Sequence, residues 1–335
     1  MIEETAPVAT IPTRPVSGPV KLWRLCRRHP RASTLLVLSL LALLGLIAMF
    51  VTYNRQLGVQ LLQNERMNDR LRMTLTKQMA DRIDSDLCQF ALVPQTMAAT
   101  LSVREDWTQA QIVPWVKEML YRDERLFGTC VVFEPFQFDG RAEDYSHYVY
   151  WGPPNLRRHE PYAMAIEYPF RHLPWYSRPR KEGQGVWTEP YFDDAGNIFM
   201  VTYSVPIHRQ RQFLGFGIGE LRFVGVTTAD LDLGHFDQLR KLDQLDLGKP
   251  AYGFVLSPTG QFVSHPNPKY KFPKKITDVA AYQDGTTMKN LNERLLRHDT
   301  GSALVAVDPW TGKRSMYYFA PIPSAQWTLV VVVEE

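Results

Sequence analysis

Residues 175–207 read WYSRPRKEGQGVWTEPYFDDAGNIFMVTYSVPI. Two runs flank a turn. The first, Val186 to Phe192, mixes aromatic and polar residues. The second, Ile198 to Ile207, alternates, with Phe199, Val201, Tyr203 and Val205 on one face and Ile198, Met200, Thr202 and Ser204 on the other. Between them lies Asp193-Asp194-Ala195-Gly196-Asn197, built of residue types that turns favour. Period-two alternation about such a turn predicts a β-hairpin. Its mouth holds Trp175, Tyr176, Trp187, Glu189, Tyr191, Asp193 and Asp194. A soluble core strand has no need of that polar cluster, so the hairpin is a candidate wall of a ligand pocket.

The neighbouring segments supply a sheet for it. Residues 152–174 carry Pro153, Pro154, Pro161, Pro169 and Pro174 and read as a long irregular loop, a kind of segment that is often functional. Before it, LFGTCVVF (126–133) and YSHYVYW (145–151) read as strands. Thr108 with Gln111 makes a capping-box pattern for a helix through Pro114, Trp115, Val116, Met119 and Leu120. After the hairpin, 213–223 and 224–233 are expected as a strand pair. A charged helical link at 236–247 leads to a second set. It comprises YGFVLS (252–257), a Pro258-Thr259-Gly260 turn, QFVSH (261–265), a helix around Met288–Arg297, strands at 303–308 and 315–320, and a last strand at 327–333. The fold class is therefore α+β, with two antiparallel-sheet modules.

Residues 32–53, ASTLLVLSLLALLGLIAMFVTY, carry no charge. A helix rising about 1.5 Å per residue crosses a bilayer core of roughly 30 Å with this length. The run is longer than a signal-peptide core and no small-x-small site follows, so an uncleaved span is expected. Lys21, Arg24, Arg27, Arg28 and Arg31 precede it within a disordered basic tail, residues 1–31. The positive-inside rule then puts the N-terminus in the cytoplasm and residues 54–335 in the periplasm or outside the cell. From 54 to 96 an amphipathic stripe (Leu57, Leu61, Leu71, Leu75, Met79, Ile83, Leu87) predicts a long helix, kinked or ended by Pro94.

Composition narrows the function. Lysine and arginine (38) nearly balance aspartate and glutamate (35), giving a net charge of +3. With no basic stripe interleaved with aromatics, nucleic acid is not an expected partner. Three cysteines are too few for a disulfide framework. Cys88 and Cys130 read as buried free thiols or, in an oxidising compartment, as a bridged pair. His147, His159 and His172 lack ligand spacing, so neither a metal nor a cofactor is expected. Glu189 and Asp193 could form a carboxylate pair, but no nucleophile accompanies them and no enzyme is expected. GFGIGE (215–220) has the wrong spacing for a phosphate loop.

Six segments together resemble one family: PWY (174–176), GVWTEPYFDDAGN (185–197), VTYSVPI (201–207), GVTTADLDL (225–233), YGFVLSPTGQFVSHP (252–266) and YYFAPIPSAQWTLVVVVEE (317–335). They are similar to the double Cache domain, an extracytoplasmic sensor of bacterial transmembrane receptors. The resemblance covers roughly residues 55–335. It implies two PAS-like modules on a long helix, membrane-distal at 97–235 and membrane-proximal at 248–335. It also implies a homodimer and a small ligand bound in the distal module. Signalling would pass through the membrane helix. A second membrane helix and an output domain normally follow. Here the chain stops at Glu335, so the sequence is either a piece of a longer receptor or an anchored sensor without its own output.

Amino-acid-binding members carry an Arg two residues before a Trp, then Tyr-x-Asp, then a distal Asp. Trp175, Tyr191, Asp193 and Asp230 match, whereas Leu173 stands in place of the Arg. Arg171, two positions earlier, could supply the carboxylate clamp if the loop shifts. Trp175, Tyr176, Tyr191, Asp193, Asp230 and Arg171 are thus the candidate ligand-binding residues. Without the Arg, two carboxylates and two rings suit a cationic amine better than a bare carboxylate. The same residues admit plainer roles: Asp193-Asp194 as a turn, Asp230 as a helix cap, Trp175 and Tyr191 as core. The alternative function is a membrane-anchored structural or interaction module with no ligand or output of its own.

Overall fold

The structure is a computed structural model that describes residues 30–152, 160–210, 219–234, 247, 249–270, 274–279 and 286–335. The expected tail up to residue 29, the link at 236–246 and the start of the expected 213–223 strand lie outside these. Residues up to Asn68 form one body and Asp69–Glu335 another. In the first, the helix α1, Pro30–Val103, begins with an apolar stretch long enough to cross a membrane, its side chains exposed.

In the second body, α1 does not stop at Pro94. Proline forfeits a backbone hydrogen bond and clashes with the preceding turn, at a cost of about 3 kcal/mol. Here the buried face continues across it, through Phe90, Met97 and Leu101. Burying three such side chains contributes about 1.5–3 kcal/mol each, so packing outweighs the break. Thr227 Oγ1 donates to the Pro94 carbonyl at 2.8 Å.

The helix α2, Gln109–Leu120, starts at Thr108, whose N–H donates to Gln111 Oε1 at 3.2 Å. Strands β1 (Leu126–Phe133), β2 (Tyr145–Tyr150) and β3 (Tyr162–Met164) follow. The helix α3, Pro174–Glu182, begins at the end of the expected irregular segment and fills a stretch to which the sequence reading gave no element. Pro174 opens it with a fixed φ and no N–H to waste, and Gly183 closes it in the left-handed region, φ +68°. Next come β4 (Val186–Trp187), β5 (Tyr191–Asp193), β6 (Ile198–Gln210) and β7 (Leu221–Asp232). Where two strands were expected from 213 to 233, β7 is a single strand, paired on one side to β1 and on the other to β6. The first sheet runs β3-β2-β1-β7-β6-β4, with β5 also on β6.

The second sheet is built from β8 (Ala251–Leu256), β9 (Phe262–Ser264), β10 (Gly301–Val305), β11 (Ser315–Ile322) and β12 (Trp327–Glu334), in the order β10-β11-β12-β8-β9. Every pairing in it is antiparallel. The helix α4, Thr286–Leu296, covers one face through Leu291 and Leu295, against Val330 and Val332. The other face presents Trp327, Leu329, Val331 and Val333 to the core that contains α1. Burial on both faces explains why this strand reads as an unbroken apolar run. Asp308, expected at a strand end, instead sits beyond β10 and accepts the Trp310 and Thr311 N–H groups of the following turn.

One core joins both sheets to α1. It contains Phe90, Trp187, Val201, Leu231, Val255, Trp327 and Val331. Trp187 lies 5.7 Å from Phe90 and 5.5 Å from Trp327, ring centre to ring centre. Cys88 is exposed and Cys130 buried, and the two are unbridged. The expectation of two buried thiols fails at Cys88 because it falls on the outer face of α1.

Candidate functional site

Alternation along the strands gives the first sheet two different faces. On β7, Thr227, Ala229 and Leu231 turn toward α1, while Val226, Thr228 and Asp230 turn away. On β1, Val131 and Phe133 face the helix side, and Cys130 and Val132 the other. A cavity of about 410 Å³, its mouth included, lies on the side away from α1.

Four of the six candidate residues converge on this cavity: Trp175, Tyr191, Asp193 and Asp230. Asp230 lies mid-strand, 3% exposed, and caps no helix. It is the cross-strand partner of Thr202 on β6, whose hydroxyl donates to Asp230 Oδ1 at 2.8 Å. The Tyr191 hydroxyl lies 2.7 Å from Thr202 Oγ1. With the threonine proton committed to the carboxylate, Tyr191 is the donor of that pair, and the three side chains form a chain ending on Asp230. Asp193 Oδ2 accepts the Gly196 N–H at 2.6 Å, so it closes the hairpin turn and lines the cavity at once. Trp175 arrives on α3 and stacks on Phe170 at 5.4 Å.

The hairpin itself is interrupted. β5 pairs with β6 from Tyr191↔Met200 to Asp193↔Ile198, and β4 pairs at Val186↔Ser204 and Trp187↔Tyr203. Thr188 keeps a bond to the Thr202 carbonyl at 2.9 Å, and the chain then bends through Glu189 and buried Pro190. That bend separates Trp187, which points into the shared core, from Tyr191, which points into the cavity.

Burial sets the electrostatics. It pushes the Asp230 carboxyl up to about 7, with the charge of Asp193 adding to the effect and the Thr202 hydrogen bond opposing it. Asp193 is also raised, chiefly by burial, with its Gly196 bond opposing. The Tyr148 and Tyr191 hydroxyls and the Cys130 thiol are held in their neutral forms by the same desolvation. Tyr148 lines the cavity near Asp230 without a well-formed hydrogen bond to it. Among the described residues, no basic side chain forms an ion pair with Asp193 or Asp230.

Arg171 and Tyr176 do not join the other four. Arg171 pairs with Asp144 and lies 3.7 Å from Glu134. The Tyr176 hydroxyl donates to Glu134 Oε1, and Arg180 reaches the other oxygen of Glu134 at 3.3 Å. Glu134 is thus the hub of a separate ionic cluster, away from the cavity lining. Leu173 lines an outer crevice with Trp175, Arg178 and Glu189, where Thr259 Oγ1 donates to Glu189 Oε2 at 3.0 Å. Sequence reading missed Thr202, Tyr148 and Tyr168 as lining or second-layer groups. Thr202 had a signal, being a polar residue in the otherwise apolar series Ile198, Met200, and Tyr148 alternates within YSHYVYW. Tyr168 sits in the irregular segment and had none. Among the described residues no cluster of three or more His, Cys, Asp or Glu could hold a metal.

Residues 112–238 match the family model of the first PDC sensor domain of methyl-accepting chemotaxis protein-like proteins. This segment is a chemoreceptor-type PDC sensor domain, of the Cache kind. Such domains sense rather than catalyse. The PDC segment holds all six candidate residues. The chain is 28% identical over 174 residues to the methyl-accepting chemotaxis protein McpA of Pseudomonas putida, covering 51% of this chain and 23% of McpA. It is 28% identical over 116 residues to PctB of Pseudomonas aeruginosa, covering 35% of this chain and 16% of PctB. The matches thus span less than a quarter of either curated relative. In fold, it is similar to the solved extracellular domain of the histidine-kinase candidate mmHK1S-Z3, with a TM-score of 0.67 and 20% identity, over 80% of this chain and 95% of that one. The ligand-binding domain of PctB, solved with L-Arg, gives a TM-score of 0.52 at 18% identity, over 80% of this chain and 88% of that domain.

Proposed function

We propose that the cavity binds a small cationic amine, and that the chain is the extracytoplasmic sensing part of a membrane signal-transduction receptor. One observation carries the reading. Two carboxylates, buried Asp230 and half-buried Asp193, line an aromatic-walled cavity, and no basic side chain among the described residues pairs with either. A buried charge without a counter-charge is costly, and an ammonium group relieves that cost while the Thr202 bond keeps one carboxylate oxygen oriented. Trp175 and Tyr191 add cation–π attraction of roughly 0.5–2 kcal/mol each. The PctB domain binds an amino acid, and an amino acid remains the second ligand class for this chain. It is the weaker fit, because the only nearby clamp named by the sequence, Arg171, is held by Asp144 and Glu134.

In this reading the apolar start of α1 spans the membrane, the N-terminus is cytoplasmic and the sensor lies on the far side, as a homodimer. The positive-inside arrangement of Lys21, Arg24, Arg27, Arg28 and Arg31 supports the orientation. Ligand binding biases the equilibrium between two arrangements of the sensor that α1 reports. The test is calorimetry on the full chain in lipid nanodiscs with alkylamines, diamines, amino acids and monocarboxylates. Amines should bind and the variants Asp193→Ala and Asp230→Ala should lose them. Binding of monocarboxylates but not amines overturns the amine assignment, and no ligand from any class leaves the structural-module alternative.

A further inference from the structure

A second cavity, about 940 Å³ with its mouth, lies on the other face of the first sheet. Tyr145 and His147 alternate with Ser146 and Tyr148 on β2, so they turn toward α2, away from the amine cavity. The start of α2 and the Phe138–Asp139 turn complete the walls. The ring surfaces come from Trp107, Phe138, Tyr145 and His147. Phe138 stacks on Tyr145 at 3.7 Å, and Tyr145 lies 4.9 Å from His147.

Three buried polar atoms in this one wall have no hydrogen-bond partner among the described residues: Trp107 Nε1, Tyr145 OH and His147 Nδ1. Trp107 is 8% and Tyr145 6% exposed. Buried polar groups are nearly always paired, and one left alone forfeits about 1–3 kcal/mol. Three such atoms gathered on one aromatic cavity are the signature of a recognition surface whose partner is a ligand. Their chemistry restricts what binds. Indole N–H only donates, so the ligand carries an acceptor. Burial holds His147 toward its neutral form, so it offers no positive charge. The two carboxylates in the lining, Asp139 and Asp144, disfavour an anion. Both are already engaged, Asp139 by the Arg141 and Ala142 N–H groups and Asp144 by Arg171, so they do not call for a cation.

We propose that this cavity is a second ligand site that takes an uncharged, planar heteroaromatic molecule of nucleobase size, stacked among the rings and hydrogen-bonded by Trp107, Tyr145 and His147. Its place in the fold gives it a route to the first site. Ile166 lines both cavities, and its backbone N–H and carbonyl are both bonded to the Ser146 hydroxyl, at 3.1 and 3.2 Å. The segment that separates the two sites is therefore pinned to the strand that carries Tyr145 and His147.

The test uses the full chain in nanodiscs, titrated with adenine, hypoxanthine and nicotinamide by calorimetry and by the quenching of tryptophan fluorescence. At least one probe should bind. The variants Trp107→Phe and Tyr145→Phe, which keep a ring and delete the polar atom, should each weaken it at least fivefold. Asp230→Asn should leave it unchanged, which separates this site from the amine site whether or not amines bind there. No binding by any probe at 5 mM overturns the proposal. So does binding that is indifferent to both ring-preserving variants. A third overturning result is a rise in Tm for both variants without any probe binding, since that marks the three atoms as merely hydrated.

Discussion

Thr202 and Asp230 face each other across β6 and β7, and the threonine hydroxyl lies 2.8 Å from the Asp230 carboxylate. That hydrogen bond favours the ionised carboxylate but is too little to offset full burial, so the acid is pushed up to about 7. An amine should bind the ionised form. Its affinity should therefore rise by about tenfold between pH 6 and pH 8, following the ionised fraction of a group with that pKa. Stability of the unliganded protein should move the other way. The folded state keeps the proton that an unfolded aspartate, with a pKa of about 3.9, has already released. Between about pH 4 and pH 7 the folded state thus binds more protons, and stability falls as pH rises, levelling above 7. Calorimetric titration and thermal melts across this range check both trends. Asp230→Asn should flatten both, and a flat wild-type affinity profile would sink the assignment.

Asp193 has two duties, and substitution can part them. Its Oδ2 accepts the Gly196 N–H that closes the turn, while its charge faces the cavity. Asparagine keeps an acceptor for the turn and removes the charge. Asp193→Asn is expected to leave Tm within about 2 °C and to weaken amine binding by roughly tenfold, the size of one lost charge-assisted hydrogen bond. Asp193→Ala should lower both. If asparagine binds amines as well as the wild type does, Asp193 is a turn residue only.

The parts of this molecule that were legible are those where one residue type has one physical use. The Asp193–Asn197 turn, the capping pair Thr108–Gln111 and the alternating β6 were all readable, because local backbone chemistry decides them. The end of α1 and the presence of α3 were less legible for the opposite reason. Proline is a local signal, and tertiary burial decided both outcomes: Phe90, Met97 and Leu101 carried α1 past Pro94, and Trp175 with Tyr176 folded α3 onto the sheet. Trp175, Tyr191, Asp193 and Asp230 were found through a family pattern, and the alternation rule then places Asp230 beside Thr202 once the register is known. Arg171 could not be judged from sequence, since its partners Asp144 and Glu134 lie 27 and 37 positions away. The second cavity had no signal either, because its orphaned atoms come from two segments far apart in sequence, Trp107 before α2 and Tyr145 with His147 on β2.

Gly225 marks the close approach of β7 to β1. It is the partner of Phe133, and a Cβ there would run into the Val132 carbonyl oxygen, with the Phe133 Cα 3.1 Å away. Backbone on both sides leaves no flexible side chain to yield. Gly225→Ala should destabilise by at least about 1–3 kcal/mol, the usual range for overpacking. Gly183 offers a contrast, with open space around it but φ at +68°. Its substitution by alanine should cost about 1–2 kcal/mol through conformation alone. Denaturant melts of the two variants measure both, and a Gly225→Ala protein as stable as the wild type would mean that β1 and β7 are not held at this spacing.

Trp327 tests whether the two sheets share one core. It starts β12, is fully buried, and lies 5.5 Å from Trp187 of the first sheet, which in turn stacks on Phe90 of α1 at 5.7 Å. These rings link the helix to both modules. Truncating a buried tryptophan costs about 3–5 kcal/mol. If the core is continuous, Trp327→Ala should lower the melting temperature seen by a probe in the first sheet as much as that seen by a probe in the second, in one cooperative transition. Amide exchange on β6 and β12 reads the two separately. Protection should fall on both strands together. Loss confined to β12, with β6 and amine binding untouched, would show that the modules fold independently and that the signal from the cavity reaches α1 through the first sheet alone.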